Sequence, residues 1–291
     1  MPTLHGAFET QAQIDAQYNP SLQVADPAAE LRHYVERSAQ ARSGLAHRLS
    51  QPYGPTLAET LDVFPADRPG APVFVFVHGG YWRALSAGDF SCVALGPQRR
   101  GFATVVINYA LCPWVTIDEI VRQVRAAIAW TWRHAPEFNG DPERIVLAGH
   151  SAGGHLGAMA LHTDWAGDYG LPVDPLRGAW LVSGLYDLQP LRWSYLQPVI
   201  QLDDRTIARQ SPVRTLRACA TPLQLVWGGL ESAEFARQST DYAALWRAAG
   251  NTVDAQALPG LHHFSAIHAF EDADSAACQW LAERAATAAG T

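Results

Sequence analysis

The chain has 291 residues, of which 48% are hydrophobic and 17% charged, with a formal net charge of −7. This composition suffices for a substantial core and excludes intrinsic disorder. The acidic balance gives no basic surface for nucleic acid and no polybasic patch for a membrane surface. No apolar run approaches the roughly 20 residues that a membrane span needs.

The start of the chain and the cysteines point to a cytoplasmic location. The first residues lack the basic and apolar regions of a secretory signal peptide. The four cysteines are scattered without the spacing of metal ligands, so we expect reduced, buried thiols. These cysteines are Cys92, Cys112, Cys219 and Cys278. We expect no metal and no cofactor.

In chain order, a polar helical segment comes first and strands then alternate with helices. Residues 1–50 are predicted to be mainly helical, most clearly over Glu30–Arg37. Strands are predicted over residues 57–64, 73–77, 102–107, 145–148, 179–182, 223–227 and 252–258. The first of these is predicted to be an edge strand. Helices are predicted over 117–132, from apolar residues at helical spacing, and over 265–286.

This alternation predicts an α/β fold with a mainly parallel central sheet covered by helices on both faces. We find no repeats and no interdomain linker, so the prediction is a single domain over residues 1–291. An irregular stretch at about 187–212 contains prolines and tryptophans. We interpret it as a small cap or pocket insertion.

The most informative stretch is Gly149-His150-Ser151-Ala152-Gly153, which follows an apolar strand and precedes a helical segment. A Gly-x-Ser-x-Gly sequence alone is often an ordinary glycine-rich turn. Between a strand and a helix it predicts a nucleophile elbow, in which a strained turn exposes the serine hydroxyl. The N–H of Ala152, at the helix start, would then face a developing oxyanion.

A serine nucleophile needs a base and an orienting acid, which in this architecture follow it in the order acid, then histidine. The loop after strand 223–227 contains Glu231 and Glu234, and the loop after the last strand contains His262 and His263. We predict Glu231 and His263 as the partners of Ser151. Glu234 and His262 stay open as alternatives, although Glu234 is expected to face outward from the next helix.

A second glycine-rich loop, His78-Gly79-Gly80-Tyr81-Trp82, follows the strand at 73–77. This is the position of the oxyanion loop of lipases and esterases, and we assign oxyanion donors to the N–H groups of Gly80, Tyr81 and Ala152. His78 is expected to brace the loop. We interpret His150, His155 and His162, near the elbow, as structural histidines, because they lack the spacing of a metal site.

These residues resemble the serine-type kynurenine formamidases (arylformamidases), α/β-hydrolases related to the hormone-sensitive-lipase-like esterases. The HGGYW loop resembles the family's HGGxW signature, and residues 149–156 resemble its elbow. Residues 181–188, 231–239 and 263–264 resemble its following strand and loop, its acid segment and its catalytic-histidine segment. Residues 17–21 resemble its start. The family usually has aspartate where this chain has Glu231.

The resemblance implies hydrolysis of N-formyl-L-kynurenine to L-kynurenine and formate, with an apolar slot for the aryl leaving group. Tyr81, Trp82, Tyr186 and Trp193 are the candidate lining residues. The expected partner is a small aryl amide or ester, and a homodimer is left open.

Two other functions compete with this interpretation. One is a carboxylesterase or aryl-amidase of the same architecture that acts on another small acyl or carbamoyl substrate, because specificity depends on the pocket rather than the fold. The other is a non-catalytic binding protein of the α/β-hydrolase fold, against which the intact order of serine, acid and histidine argues.

Overall fold

The computed structural model of the protein describes residues 3–286 and contains an eight-stranded sheet in the order β1-β2-β4-β3-β5-β6-β7-β8. The strands are β1 (Arg48–Pro52), β2 (Thr60–Phe64), β3 (Ala71–Val77), β4 (Ala103–Ile107), β5 (Gly140–His150), β6 (Gly178–Val182), β7 (Leu223–Gly228) and β8 (Val253–Leu258). β2 is antiparallel to both of its neighbours, and the strands from β4 to β8 in that order are parallel. The predicted mainly parallel sheet is confirmed.

Helices cover both faces of this sheet. They are α1 (Gln11–Tyr18), α2 (Pro27–Gly44), α3 (Leu95–Arg99), α4 (Ile117–His134), α5 (Ala152–Leu161), α6 (Trp165–Tyr169), α7 (Gln197–Ile200), α8 (Asp204–Gln210), α9 (Ala233–Ala248) and α10 (Ala276–Ala286). Two hydrophobic clusters result, one on each face of the sheet. None of the helices in the described range has the length and apolar character of a membrane span.

The central strands are buried because their side chains are apolar on both faces. From Val73 to Val77 the residues of β3 are fully buried, and Val77 pairs in register with Gly149 of β5. A continuous apolar run is what a parallel strand covered on both sides requires. This register brings the loop after β3 next to the turn after β5.

Two elements differ from the prediction. β1 pairs with β2 and forms the edge, so the strand predicted as an edge has a neighbour on each side. β1 is polar and mostly exposed, so it has no periodic apolar signal. The last predicted helix is broken: residues 265–271 form a 3-10 turn whose Phe270 packs its ring against Phe74 and Phe76, and α10 starts only at Ala276.

The N-terminal segment packs against the parts of the chain that follow the sheet. Tyr18, at the end of α1, is fully buried and packs against Phe235 of α9. The Asp15 carboxylate accepts a hydrogen bond from the N–H of Tyr195, within the stretch at 187–212. α1 and this stretch therefore lie together over one edge of the sheet. The four cysteines are free and buried, as expected.

Candidate active site

The carboxyl ends of β3, β5, β7 and β8 lie at one edge of the sheet, because these strands are parallel to one another or linked through parallel neighbours. Each of these ends is followed by one of the predicted loops. Open α/β sheets bind ligands outside this edge. The topology therefore gathers Ser151, Glu231 and His263 from segments that are far apart in the sequence.

Ser151 lies on the predicted elbow. It follows β5 directly, has φ 57° and ψ −117°, and is the residue before α5. The turn needs glycine on both sides: a Cβ on Gly149 would lie 2.2 Å from the carbonyl oxygen of Gly153, and one on Gly153 only 1.9 Å from that of Val77. The close approach of strand and helix thus explains the Gly-x-Ser-x-Gly spacing.

His263 and Glu231 form a buried pair beside this elbow. Nδ1 of His263 lies 2.8 Å from Oε2 of Glu231, and their side chains are 6% and 1% exposed. The His263 ring packs against those of Phe235 and His150, with centroid separations of 4.8 and 4.6 Å. Ser151 and His263 both line one cavity of about 380 Å³. This geometry gathers the three residues in one place.

The other oxygen of Glu231 is also fixed. Oε1 accepts hydrogen bonds from Oγ of Ser183, at 2.5 Å, and from the N–H of Gly228, at 2.6 Å. Ser183 is buried, has φ 51°, and follows β6 directly. Ser183 was not among the residues predicted from the sequence, although its place at the carboxyl end of a strand is a signal that could identify it.

The structure separates both pairs of alternatives. Glu234 lies in the first turn of α9, where it receives hydrogen bonds from Tyr18 and from two nitrogens of Arg237. It is 8% exposed, so the expectation that it faces outward is wrong, because Tyr18 of α1 covers it. Burial alone would raise the pKa of Glu234, but the bonds from Arg237 and Tyr18 hold it below its usual value. His262 bonds instead with Ser265, away from the cavity.

The loop after β3 lies against the elbow. A Cβ on Gly79 would lie 3.0 Å from the Cβ of Ser151, and one on Gly80 only 2.1 Å from the carbonyl oxygen of Ala84. Gly80, Tyr81 and Trp82 all have positive φ, of 106°, 50° and 57°. Strain of this kind persists where the surroundings enforce it. The Tyr81 hydroxyl donates to the carbonyl of Tyr18 and the Trp82 carbonyl accepts from the N–H of Cys112, so both sides of the loop are held.

His78 and His150 are buried in this region. Burial lowers the pKa of His78 to about 4, and its ring is stacked between Tyr109 and Phe90. Nε2 of His150 donates to the carbonyl of His263 at 2.9 Å. Burial, with His263 nearby, holds the pKa of His150 well below its usual value. His150 is therefore neutral and holds the backbone at His263 in place.

His155 and His162 are structural, as expected. His155 accepts from Nε1 of Trp82 and donates to the carbonyl of Gln210. His162 bonds through its two nitrogens to Thr215 and Tyr242. Burial lowers the pKa of His155 to about 4 and that of His162 to about 3.

Of the four aromatic residues predicted to line the pocket, only Tyr81 does so. Trp82 is fully buried and points to His155, so it supports the loop from behind. Tyr186 is fully buried and stacks on Tyr242. Trp193 is 37% exposed and lies under Arg192 outside the cavity. The prediction for these last three residues is wrong, because packing turns each side chain away from the cavity.

Other side chains form the walls instead. The cavity is lined by Asn19, Pro20, Ser21, Tyr34, Gly79, Gly80, Tyr81, Arg83, Ala84, Leu85, Phe90, His150, Ser151, Tyr195, His263 and Phe264. Four of these come from the N-terminal segment, and one, Tyr195, comes from the 187–212 stretch. No local sequence signal marked them as cavity residues, because their approach to the elbow depends on the packing of α1 and α2.

Within the described residues, one group of metal-ligand types lies close enough together to share an ion, namely His33, His268 and Glu271. The rings of His33 and His268 are in contact, with centroids 4.1 Å apart and planes tilted by 30°. Nε2 of His33 is already 2.8 Å from Oε1 of Glu271, so these two side chains bond to each other directly. Glu271 is already paired with Arg37. The group is better suited to joining α2 to the turn after His263.

Comparison with known proteins agrees with this geometry. A family profile described as BD-FAE matches residues 61–166. A kynurenine formamidase of Danio rerio is 31% identical over 274 residues, which cover 89% of this chain and 91% of that protein. The chain belongs to the kynurenine formamidase family. Members and relatives of this family are hydrolases, and the esterase LipQ of Mycobacterium tuberculosis is 27% identical, over 73% of this chain and 56% of that protein.

A solved structure is similar to this chain in its three-dimensional fold. A candidate thioesterase from Silicibacter sp. TM1040 superposes with a TM-score of 0.83 at 29% identity, over 93% of this chain and 99% of that one. The α/β-hydrolase fold predicted from the sequence is thereby confirmed. The protein is a hydrolase of this fold.

Proposed function

We propose that the protein hydrolyses an aryl formamide, namely N-formyl-L-kynurenine, to L-kynurenine and formate. The observation that carries this proposal is the placement of Ser151 and His263 on one cavity with Glu231 bonded behind His263, in a member of the kynurenine formamidase family. A serine nucleophile, with a histidine as its base and a carboxylate that orients the histidine, performs acyl transfer.

Acylation begins at Ser151. Its Oγ attacks the formyl carbon while Nε2 of His263 takes the hydroxyl proton. Glu231, bonded to Nδ1, holds the imidazole in the tautomer that leaves Nε2 free to accept, and stabilises the imidazolium that forms. Ser183 and the N–H of Gly228 fix the carboxylate for this task.

The tetrahedral intermediate carries a negative oxygen that needs donors. We assign these to the N–H groups of Gly80, Tyr81 and Ala152. In support, Gly79 lies against Ser151, Gly80 and Tyr81 line the same cavity as Ser151, and Ala152 is the first residue of α5. Such donors are fixed before the reaction, and removing one typically costs about 100-fold to 1,000-fold in rate.

The intermediate then collapses and the cycle closes. His263 gives its proton to the leaving arylamine nitrogen, the carbon–nitrogen bond breaks, and Ser151 is left as a formyl ester. Water attacks this ester with His263 as base, which releases formate and restores the serine hydroxyl. Tyr34, Phe90 and Phe264 give the cavity the apolar walls that suit an aryl leaving group.

The test is a side-by-side measurement of kcat/KM for N-formyl-L-kynurenine and p-nitrophenyl acetate. The proposal predicts a clear preference for the formamide. A preference for the ester would instead favour the second candidate, a carboxylesterase, which the likeness to the esterase LipQ supports. Both functions use the same residues, so the assay separates substrates rather than mechanisms.

We propose further that the stretch at 187–212 acts with α1 as a cap and that the protein works in the cytoplasm. Tyr195 of that stretch lines the cavity and bonds to Asp15 of α1, in support of the cap. The four free cysteines fit a reducing compartment. Light scattering tests whether the enzyme forms a homodimer.

A further inference from the structure

Arg83 is the one permanently charged side chain among the residues that line the cavity, and all of them lie within the described range. Neither aspartate nor glutamate is among these lining residues. The protein as a whole carries a net charge of −7, so its general field repels anions. A lone cation at this cavity therefore changes which substrates can bind there.

The guanidinium of Arg83 has no carboxylate partner among residues 3–286. Some other exposed or half-exposed arginines do have one, for example Arg122, Arg209 and Arg237. Arg83 lies instead over the ring of Tyr195, with its guanidinium carbon 5.6 Å from the ring centroid. This stacking orients the guanidinium without using all of its five N–H donors.

The backbone ties Arg83 to the reaction centre. Its N–H donates to the carbonyl of Gly80 at 3.0 Å, so it closes the turn that contains the proposed oxyanion loop. Gly80 in turn lines the same cavity as Ser151. The side chain is exposed and lines the cavity, so it lies at the rim, where the part of a substrate remote from the acyl group would extend.

We infer that Arg83 binds a carboxylate on the leaving group, so that the site selects aryl substrates that carry this carboxylate over those that lack it. A guanidinium matches a carboxylate with two parallel hydrogen bonds. This inference rests on the proposed function, since N-formyl-L-kynurenine carries such a carboxylate on its amino-acid arm. Arg83 is a specificity residue in this account and does not touch the reacting bond.

The expected effect is on binding rather than on chemistry. Because the contact is remote from the formyl carbon, it is made equally in the ground state and the transition state, so its loss raises KM and leaves kcat unchanged. A lost hydrogen bond to a charged group corresponds to a rise in KM of about 10-fold to 100-fold.

The experiment compares Arg83→Gln with the parent enzyme on two substrates, N-formyl-L-kynurenine and N-formylkynuramine, which is the same molecule without the carboxylate. The inference predicts a raised KM for the first and an unchanged KM for the second. Arg83→Lys keeps the charge without the planar donors and should give an intermediate KM. An equal rise on both substrates, or no rise on either, would overturn the inference.

Arg68→Gln is the matched control. Arg68 is exposed and precedes β3, whereas Arg83 follows β3, so Arg68 lies at the opposite edge of the sheet. The Arg68→Gln variant should leave both KM values unchanged, although it changes the net charge by the same amount as Arg83→Gln. A KM shift in this control equal to that of Arg83→Gln would show a general charge effect and contradict a local contact.

A second substrate pair separates this inference from the proposed function. If the parent enzyme does not hydrolyse N-formyl-L-kynurenine, the proposed function fails, and 3-acetoxybenzoate is then compared with its methyl ester. A lower KM of the parent for the acid, lost in Arg83→Gln, supports the carboxylate contact on its own. Equal KM values for acid and methyl ester in the parent would reject it. Thermal unfolding of each variant confirms that it is folded.

Discussion

Ser183 donates a hydrogen bond of 2.5 Å to Oε1 of Glu231, the carboxylate whose other oxygen lies 2.8 Å from His263. The serine follows β6, the glutamate follows β7 and the histidine follows β8, so three neighbouring strand ends meet in one hydrogen-bonded chain. The glutamate side chain is one methylene longer than the aspartate usual in the family. Because both carboxylate oxygens of Glu231 are hydrogen-bonded, the longer side chain is held in a single position.

Removal of the charge on Glu231 tests its role as the acid of the triad. Glu231→Gln keeps the size of the side chain but loses the charge that stabilises the imidazolium, and turnover should fall by up to about 10⁴-fold, by analogy with serine proteases. Glu231→Asp should be milder. Both variants are compared in kcat on the preferred substrate.

Glu234→Gln serves as the matched comparison. Glu234 is bonded to Tyr18 and Arg237 rather than to His263, so this variant should lose stability and keep turnover. If Glu234→Gln proved as damaging to kcat as Ser151→Ala while Glu231→Gln stayed active, the assignment of the acid would be wrong.

Ser183→Ala should lower kcat with KM unchanged, because the carboxylate would lose one of the bonds that position it. The loss of a hydrogen bond to a charged group corresponds to about 10-fold to 100-fold in rate. Ser239→Ala is the control, because its hydroxyl is equally buried but bonds to the carbonyl of Phe235. Equal kcat values for the two variants and the parent would remove Ser183 from the positioning role.

Gly153→Ala should destabilise the fold. A Cβ at this position would lie 1.9 Å from the carbonyl oxygen of Val77 and 2.6 Å from that of His78, and neither backbone atom can move without disturbing β3. We expect a loss of about 3 kcal/mol in the free energy of unfolding, the upper end of typical overpacking costs. Gly88→Ala is the control, because a Cβ there would have Oγ of Ser86, at 3.7 Å, as its nearest neighbour. Urea unfolding should therefore show little change in its free energy of unfolding.

The buried histidines predict that stability falls on mild acidification. Burial lowers the pKa of His78 and His155 to about 4 and that of His162 to about 3, and it lowers the pKa of His150 as well. Since the folded pKa values lie below the unfolded value of about 6.5, the unfolded chain binds more protons between about pH 6.5 and pH 4. Stability is therefore complete above about pH 6.5 and is lost as the pH falls through this window.

Urea unfolding between about pH 7 and pH 5 measures this effect. Each histidine should contribute about 1.4 kcal/mol per pH unit within the window. His162→Gln should remove the contribution of one proton from the slope of the free energy of unfolding against pH. A free energy of unfolding that stayed constant or rose on acidification would contradict the assignment of these histidines as neutral in the folded protein.

The buried strands and the elbow could be predicted from the sequence because their signals are local. An apolar run such as Val73–Val77 has one stable place, inside a sheet covered on both faces. The glycines around Ser151 are enforced by contacts with the adjacent strand, so their spacing identifies the turn. The loops after β7 and β8 then follow from the order of the strands.

What the sequence did not reveal depends on contacts between distant segments. The burial of Glu234 requires Tyr18, more than two hundred residues earlier in the chain. The cavity walls come from helices and loops whose aromatic residues look alike in the sequence, so Trp82 and Tyr186 could not be distinguished there from Tyr34 and Phe90. β1 is polar and exposed, and only its pairing with β2 makes it a strand.

The most direct test of the account is covalent labelling of the intact protein with a fluorophosphonate, followed by mass mapping of the modified peptide. The account predicts one adduct, on Ser151, which disappears in Ser151→Ala together with a loss of turnover on the order of a million-fold. It also predicts that His263→Ala labels far more slowly. An unlabelled protein that still hydrolyses its substrate, or an adduct on another serine with Ser151→Ala fully active, would contradict it.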